Sequence, residues 1–312
     1  MDVPDAPPHE NAGFRRLFGD DDLSVGLLCP LSTFEGDAPS MDCELALAER
    51  AEAAGFDALW VRDVPTYWPK FGEAGQVYDP WVYLAQAAAR TDDVALATGS
   101  VVLPLRHPLH VATAAASLDR LSGGRLLLGV GSGDRDPEYA AFGVDPDERG
   151  ALFRDAVSVL RAAWRDPFPE LDSRFGTLDG TLDVRPKPTT DALPLLVTGH
   201  SRQSLDWIGD HADGWLFYQL PRSTLEGFLA DWREATPEPK PFLMGLGVDL
   251  ARDPAAEMEH VHQGFRAGGA WFRDYFRDLR ELGVDHVAVG LRGDRDPGAA
   301  IDAFATEVLD RL

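Results

Sequence analysis

The chain has 312 residues, 45 % of them apolar, with 29 Lys and Arg against 52 Asp and Glu and a formal net charge of −23. That size allows one large domain with a full core. No run reaches the roughly 18–20 apolar residues of a membrane span, and no basic stripe exists to displace the counterions of a nucleic acid.

Lysine occurs only at Lys70, Lys187 and Lys240, so nearly all positive charge is arginine. Acidic, lysine-poor surfaces stay hydrated where salt screens their self-repulsion. The chain therefore reads as an intracellular, cytoplasmic protein of a salt-accumulating halophile. Cys29 and Cys43 stand in no CxxC and near no Cys/His cluster. A disulfide scaffold and a zinc site are disfavoured, no metal is expected, and a reducing cytoplasm fits.

In chain order, residues 1–23 open as a polar tail and are expected to be flexible. A strand is predicted at 24–31 and a helix at 41–55, ending on Gly55. Strand 57–63 precedes helix 80–91, and strand 94–105 precedes helix 109–121. Strand 125–133 precedes helix 148–164. Strand 194–200 leads into a helix at 201–212, and strand 214–220 into a helix at 222–235. Strand 242–250 precedes a long helical stretch ending at 277–283. Strand 286–292 and helix 297–312 close the chain. The strands are continuous apolar runs, which suits parallel strands buried on both faces. Eight strand–helix units over residues 24–312 suit a single α/β domain, a closed (β/α)8 TIM-type barrel. A doubly wound sheet is the alternative. The segment 176–188 carries two short alternating runs around Asp179-Gly180, a hairpin signal. It reads as an insertion between helix four and strand five.

Three stretches carry candidate chemistry. Gly129, Gly131 and Gly133 form GxGxG, not GxGxxG, on the fourth strand, and no long helix follows until about residue 148. A Rossmann dinucleotide loop is thereby disfavoured. On a barrel, glycines at a strand's C-terminal end let a flat ligand approach the backbone, or they simply turn the chain. Gly199-His200-Ser201 joins a strand to a helix that Ser201 would N-cap. Free N–H groups there attract an anion, and Arg202 adds charge. An ordinary capped helix is the plainer reading. Gly99 and Ser100 interrupt a branched strand, as at a bulge or a close backbone approach. His107, just before Pro108, reads as structural.

The ordered stretches TGSVVLPLRHP, SLDRLSGGRLLLGVGSG, EYAAFG, ERG, VTGHS and HADGW resemble the bacterial luciferase-like monooxygenase family over roughly residues 24–312. The resemblance implies a TIM-type barrel that binds FMN or a deazaflavin (F420-type) coenzyme across its C-terminal end. It implies that Gly131, Ser132 and Gly133 line the flavin, and that Gly199, His200 and Ser201 hold its phosphate, with Arg202 beside them. It also implies a non-prolyl cis peptide on strand three beneath the ring, among Gly99, Ser100 and Val101, at or beside Ser100–Val101.

The sequence departs from the family at the end of strand two. Some relatives carry a histidine or a Glu-His pair there; this chain has Arg62-Asp63-Val64-Pro65, so that base does not transfer. Arg62 is a candidate to stabilise negative charge on a reduced flavin, and Asp63 to orient Arg62 or shuttle a proton. A structural ion pair at the barrel rim is the competing reading. Tyr67, Trp68, Phe71 and Tyr78 in the following loop are expected to wall an apolar pocket.

The resemblance thus implies a monooxygenase that uses reduced FMN and O2 on a small organic substrate. No NAD(P)H fingerprint is visible, so a separate flavin reductase is expected. Hydride transfer with a deazaflavin coenzyme is the alternative, and a non-catalytic flavin-binding protein a further one. A phosphate-binding lyase would need a strand-end lysine or an acidic metal cluster, and the three lysines fall in predicted loops. Relatives are commonly dimers, so a homodimer is expected.

Overall fold

The computed structural model describes residues 10–20, 22–31, 44–68, 70 and 78–312. Its strands are β1 (Ser24–Cys29), β2 (Ala58–Val61), β3 (Ala95–Thr98), the short β4 (Val101–Val102) and β5 (Leu126–Gly131). The hairpin strands β6 (Glu170–Ser173) and β7 (Gly176–Asp179) come next, then β8 (Leu195–Thr198), β9 (Gly214–Phe217) and β10 (Phe242–Leu250). The chain continues through β11 (Glu259–Val261) and β12 (Gly264–Ala267) to β13 (His286–Arg292). The helices are α1 (Ala12–Phe18), α2 (Glu44–Ala53), α3 (Pro80–Ala88), α4 (Pro108–Leu121), α5 (Asp136–Ala141) and α6 (Arg149–Arg165). Then come α7 (Leu205–His211), α8 (Arg222–Ala235), α9 (Gly269–Leu282) and α10 (Pro297–Glu307).

Parallel pairing runs β1, β2, β3, β5, β8, β9, β10, β13 and closes from β13 back to β1. This is the expected eight-stranded barrel with alternating helices. Both strand faces are apolar because each strand lies between the barrel interior and the helix ring. Among the described residues, no helix is long and apolar enough to cross a membrane.

Side chains alternate across each strand. One face of β1, β2 and β3, with Val25, Leu27, Leu59, Val61 and Leu96, packs against the helices. The other face points along the barrel axis. There Trp60 is fully buried among Ala58, Ala95, Ala97, Leu216 and Ala288. The indole N–H of Trp60 donates to Nε2 of His286 at 2.9 Å, and Nδ1 of His286 lies 2.7 Å from the Ser24 hydroxyl. Because Nε2 accepts, the proton of the neutral ring sits on Nδ1 and is donated to Ser24. Ser24 in turn donates to the Asp285 carbonyl.

Three expectations are corrected. Part of the supposed flexible tail, Ala12–Phe18, is a helix that closes the N-terminal end of the barrel, with Phe14 and Leu17 buried. The spacing of Phe14, Leu17 and Phe18 gives one apolar face. Asn11 caps the helix and donates to the buried Asp119 carboxylate at 3.1 Å, and the Gly13 N–H donates to the Gly124 carbonyl at 3.0 Å. The insertion hairpin exists between α6 and β8, but it turns at Arg174-Phe175, with Ser173 opposite Gly176. Asp179-Gly180 forms the next turn, in which the Asp179 carboxylate accepts from the Thr181 N–H. The long helical stretch after β10 is split. The antiparallel pair β11 and β12 precedes α9, and β12 adds parallel to β10.

His286 is wholly buried, and burial pulls its pKa down to about 3. In the unfolded chain the imidazole titrates near ~6.5. Its contribution to stability is therefore constant above that pH and declines as pH falls from about 6.5 toward 3, with a limiting slope of about 1.4 kcal/mol per pH unit. Denaturant unfolding of the wild type and His286→Gln at several pH values checks this. The difference between them should shrink as the solution is acidified through that window; a constant difference would refute it.

Candidate active site

The three stretches singled out in the sequence meet at the C-terminal end of the barrel. A Cβ on Gly131 would lie 2.7 Å from the Ser100 hydroxyl and 3.9 Å from the Ser201 hydroxyl. The non-prolyl cis peptide is Gly99–Ser100, the bond beside Ser100–Val101, within the stretch the resemblance implied. Trp60 lies directly beneath it, since a Cβ on Gly99 would stand 3.2 Å from the indole Cε3. Val101 starts β4 and pairs with Val130, and its side chain joins the outer core, leaving its backbone at the site.

Hydroxyl groups stitch the strand ends together. The Ser132 N–H donates to the Ser201 Oγ at 3.3 Å, and Ser201 Oγ donates to the Thr198 carbonyl at 2.8 Å. The Tyr139 hydroxyl donates to the Ser132 carbonyl at 2.7 Å, which draws α5 against β5. Gly133 has φ +86°, and a Cβ there would meet the Tyr139 hydroxyl at 2.7 Å. Only glycine fits that combination of backbone and neighbour.

Ser201 is not the helix cap predicted for it. The helix α7 begins at Leu205, and Ser204 caps it. Gly199, Ser201 and Arg202 instead adopt φ of +57°, +45° and +62°, a tight left-handed turn. The turn packs on the start of a longer helix. A Cβ on Gly150, in the first turn of α6, would lie 2.9 Å from the Arg202 Cβ, and Gln203 donates to the Gly150 carbonyl at 2.9 Å. Arg149 opens α6 with its guanidinium 5.3 Å from the centre of the Tyr139 ring. Its side chain is 13 % exposed, and it reaches Asp136 only at 3.7 Å. Its buried Nε has no hydrogen-bond partner among the described residues. Sequence reasoning missed Arg149. The signal was ERG at 148–150, a basic residue in the first helical turn where the dipole favours anions rather than cations.

The side chain of His200 faces away from this cradle. It packs against Trp215, Phe217 and Phe228 at centroid distances of 5.6, 6.1 and 6.4 Å, outside the barrel. His107 caps α4, as a structural residue would.

Asp63 does not pair with Arg62 as expected. Its carboxylate takes two bonds from Arg106, at 2.8 and 2.7 Å, and one from the Val102 N–H at 3.2 Å. Arg106 also reaches Asp79 at 2.9 Å. The chain leaving β2 at Val61 places Asp63 beside Arg106 and the Val102 N–H, as the outward side of the strand alternation requires. Thr66 donates to the buried Glu138 at 2.8 Å, which ties the loop after β2 to α5. In that loop Tyr67 and Tyr78 are about half exposed and Trp68 is partly buried. Phe71 lies outside the described residues, as does Cys43.

Glycine and serine strand ends thus line a barrel mouth over a buried indole. Luciferase-like monooxygenase is the family matched, over residues 25–306. The chain belongs to that family. It is 30 % identical over 223 residues to the 4-hydroxyprotoasukamycin monooxygenase of Streptomyces nodosus subsp. asukaensis, covering 68 % of this chain and 58 % of that protein. It is 36 % identical over 177 residues to the F420-dependent glucose-6-phosphate dehydrogenase of Beutenbergia cavernae, covering 55 % of this chain and 51 % of that protein. An uncharacterized protein of Mycobacterium tuberculosis is 34 % identical over 187 residues, covering 55 % of this chain and 66 % of its own length. The chain thus spans less than two thirds of each of these curated relatives. The fold superposes on the monooxygenase RslO1 of Streptomyces bottropensis with a TM-score of 0.77 at 20 % identity, covering 92 % of this chain and 99 % of that one.

The Asp63 arrangement predicts a specific coupling. A double-mutant cycle on Asp63→Asn and Arg106→Gln should give an interaction of about 1–3 kcal/mol by denaturant unfolding, because one partner is fully buried. The same cycle on Asp63→Asn and Arg62→Gln should give less than about 0.5 kcal/mol. The reverse order would restore the Arg62–Asp63 rim pair.

Proposed function

We propose that this protein is a flavin-dependent oxidoreductase that oxidises a small organic substrate with reduced FMN and O2, the reduced flavin coming from a separate reductase. One observation carries the reading. Three strand ends without bulky side chains converge over Trp60 and run into a turn flanked by Arg149 and Arg202. A flat ring fits against Gly99, Ser100 and Gly131. A phosphate fits the left-handed turn at Gly199 to Arg202 and the first turn of α6, where the helix dipole favours an anion. The partnerless Arg149 Nε is a donor suited to that anion. Bound flavin would supply the electron transfer, and the chain supplies placement and electrostatics. In this reading Arg62 stands on the ring side of the mouth and stabilises negative charge on the reduced cofactor, while Asp63 serves to hold Arg106.

A deazaflavin coenzyme of the F420 type is the second reading. Arg149 favours it, because it joins Arg135 and Arg202 on the phosphate side, where an anionic tail would need cations. The similarity to an F420-dependent dehydrogenase supports it as well. Titrating apo-protein with FMN and with the deazaflavin coenzyme separates the two: the true cofactor binds tighter and alone supports turnover.

The phosphate cradle has its own test in Ser201→Asp. Asp tolerates the left-handed backbone and can still accept from Ser132, but it cannot replace the donation to the Thr198 carbonyl, so the melting temperature is measured alongside. The added charge faces the phosphate. FMN affinity should fall roughly tenfold or more, while riboflavin, which lacks the phosphate, binds as before. Equal losses for both, or none for FMN, would remove the cradle from the reading.

A further inference from the structure

The barrel mouth has a second hollow, on the side opposite the glycine and serine strand ends. In β10, Leu243 faces the axis, and the alternation carries the same face to Gly245, Gly247 and Asp249. In β13 it carries from Ala288 to Gly290 and Arg292. The parallel register sets Gly247 beside Gly290 and Asp249 beside Arg292. A Cβ on Gly245 would meet nothing within 4 Å, and one on Gly290 would find only Leu28 at 3.5 Å and a carbonyl at 4.0 Å. Neighbouring strands thus give up side chains at the level where a barrel is normally filled.

Arg292 roofs this hollow. A Cβ on Gly247 would lie 3.2 Å from its Nε and Cζ, so the guanidinium lies against the inner face of β10. One hydrogen bond holds it there, from Nη1 to the His262 carbonyl at 2.7 Å, in the turn between β11 and β12. No carboxylate pairs with Arg292 among the described residues. The acidic side chain beside it in register, Asp249, turns instead to Arg266 at 3.6 Å. Arg292 is exposed to the solvent of the mouth, and Asp249, on the same inward face, is the carboxylate beside it in register; with Asp249 drawn to Arg266, the guanidinium keeps an edge for a ligand over Gly245 and Gly290.

We infer that this hollow takes an organic carboxylate, with its planar headgroup on the free edge of Arg292 and its apolar body over Gly245 and Gly290. A guanidinium fork matches a carboxylate with two parallel N–H bonds. Calling the carboxylate the substrate rests on the oxidoreductase reading; its binding does not.

The experiment is calorimetric titration of the purified full chain with benzoate, benzyl alcohol and phenyl phosphate, with FMN binding measured separately on the same proteins. Benzoate should bind at least about tenfold tighter than benzyl alcohol. Arg292→Gln should remove that advantage and leave benzyl alcohol unchanged. Gly245→Val, which fills the hollow without meeting a neighbour, should weaken both ligands about tenfold or more while the melting temperature is retained. The inference is overturned if benzoate does not bind, if Arg292→Gln leaves its affinity intact, or if Gly245→Val affects neither ligand. Tighter binding of phenyl phosphate than benzoate would overturn the carboxylate class. Loss of FMN binding with the benzoate results as expected would refute the proposed function and leave this site standing.

Discussion

The architecture of the mouth depends on one residue, Trp60. An eight-stranded barrel has an interior just wide enough for side chains to fill, and here a single indole occupies the middle of it. Several residues of its cluster are small for that reason: Ala58, Ala95, Ala97 and Ala288 are buried with it beside five leucines, and a Cβ on Gly26 would fall 2.7 Å from the ring. The hydrogen bond to His286 fixes the indole's orientation, and His286 is fixed in turn through Ser24. Below this level the barrel is sealed by Phe14 and Leu17 of α1. Above it, Gly99 rests on the ring and the remaining inward positions are largely glycine. The large side chain at one level and the missing ones at the next are two halves of a single packing solution: Trp60 is the floor, and the space above it is open to a ligand.

The same alternation sorts the charged groups. At the end of β2, Asp63 falls on the helix side and becomes the buried anchor for Arg106, while position 62 falls on the axis side. At the end of β13, Arg292 falls on the axis side over Gly247. The β1 strand lies between β2 and β13, so Arg62 and Arg292 flank the same rim. Opposite them, Arg149 and Arg202 flank the left-handed turn. The mouth therefore has two cationic edges separated by a glycine-lined hollow. That layout is what the two proposals together require, a phosphate-bearing cofactor on one side and an anionic small molecule on the other.

Much of this was legible in the sequence, for a physical reason. Apolar runs alternating with helical periodicity are local patterns, and eight of them close into a barrel. The glycines at 99, 131, 133 and 199 were legible because steric demand at a strand end leaves a compositional mark. What escaped was set by contacts between distant segments. The helix at Ala12–Phe18 is short and marginal alone; it forms because Phe14 and Leu17 have a barrel end to cover and Asp119 is waiting for Asn11. Ser201 looked like a helix cap because a serine opened a predicted helix. Its hydroxyl instead bonds Ser132, 69 residues earlier, and Ser204 caps the helix. Arg62 and Asp63 looked like a pair because they are adjacent, although adjacent residues on an extended chain point to opposite faces. The Asp179-Gly180 turn was real but led out of the hairpin, since turn chemistry does not say which strands it joins.

Charge at the mouth runs against the charge of the molecule. With a net charge of −23, the long-range field repels an anionic ligand. That repulsion acts between exposed groups and is screened beyond roughly 10 Å at about 0.1 M salt. The arginines at the mouth act at contact distance, where added ions screen much less. Arg149 is largely buried, whereas Arg292 is exposed although it lies against the strand beneath it. Salt therefore weakens the unfavourable part of the field more than the contribution of Arg149, and an acidic surface is compatible with the proposed anion site. In the proposed reading, a few arginines set against glycine would decide what enters the barrel, beneath a surface whose net charge is −23.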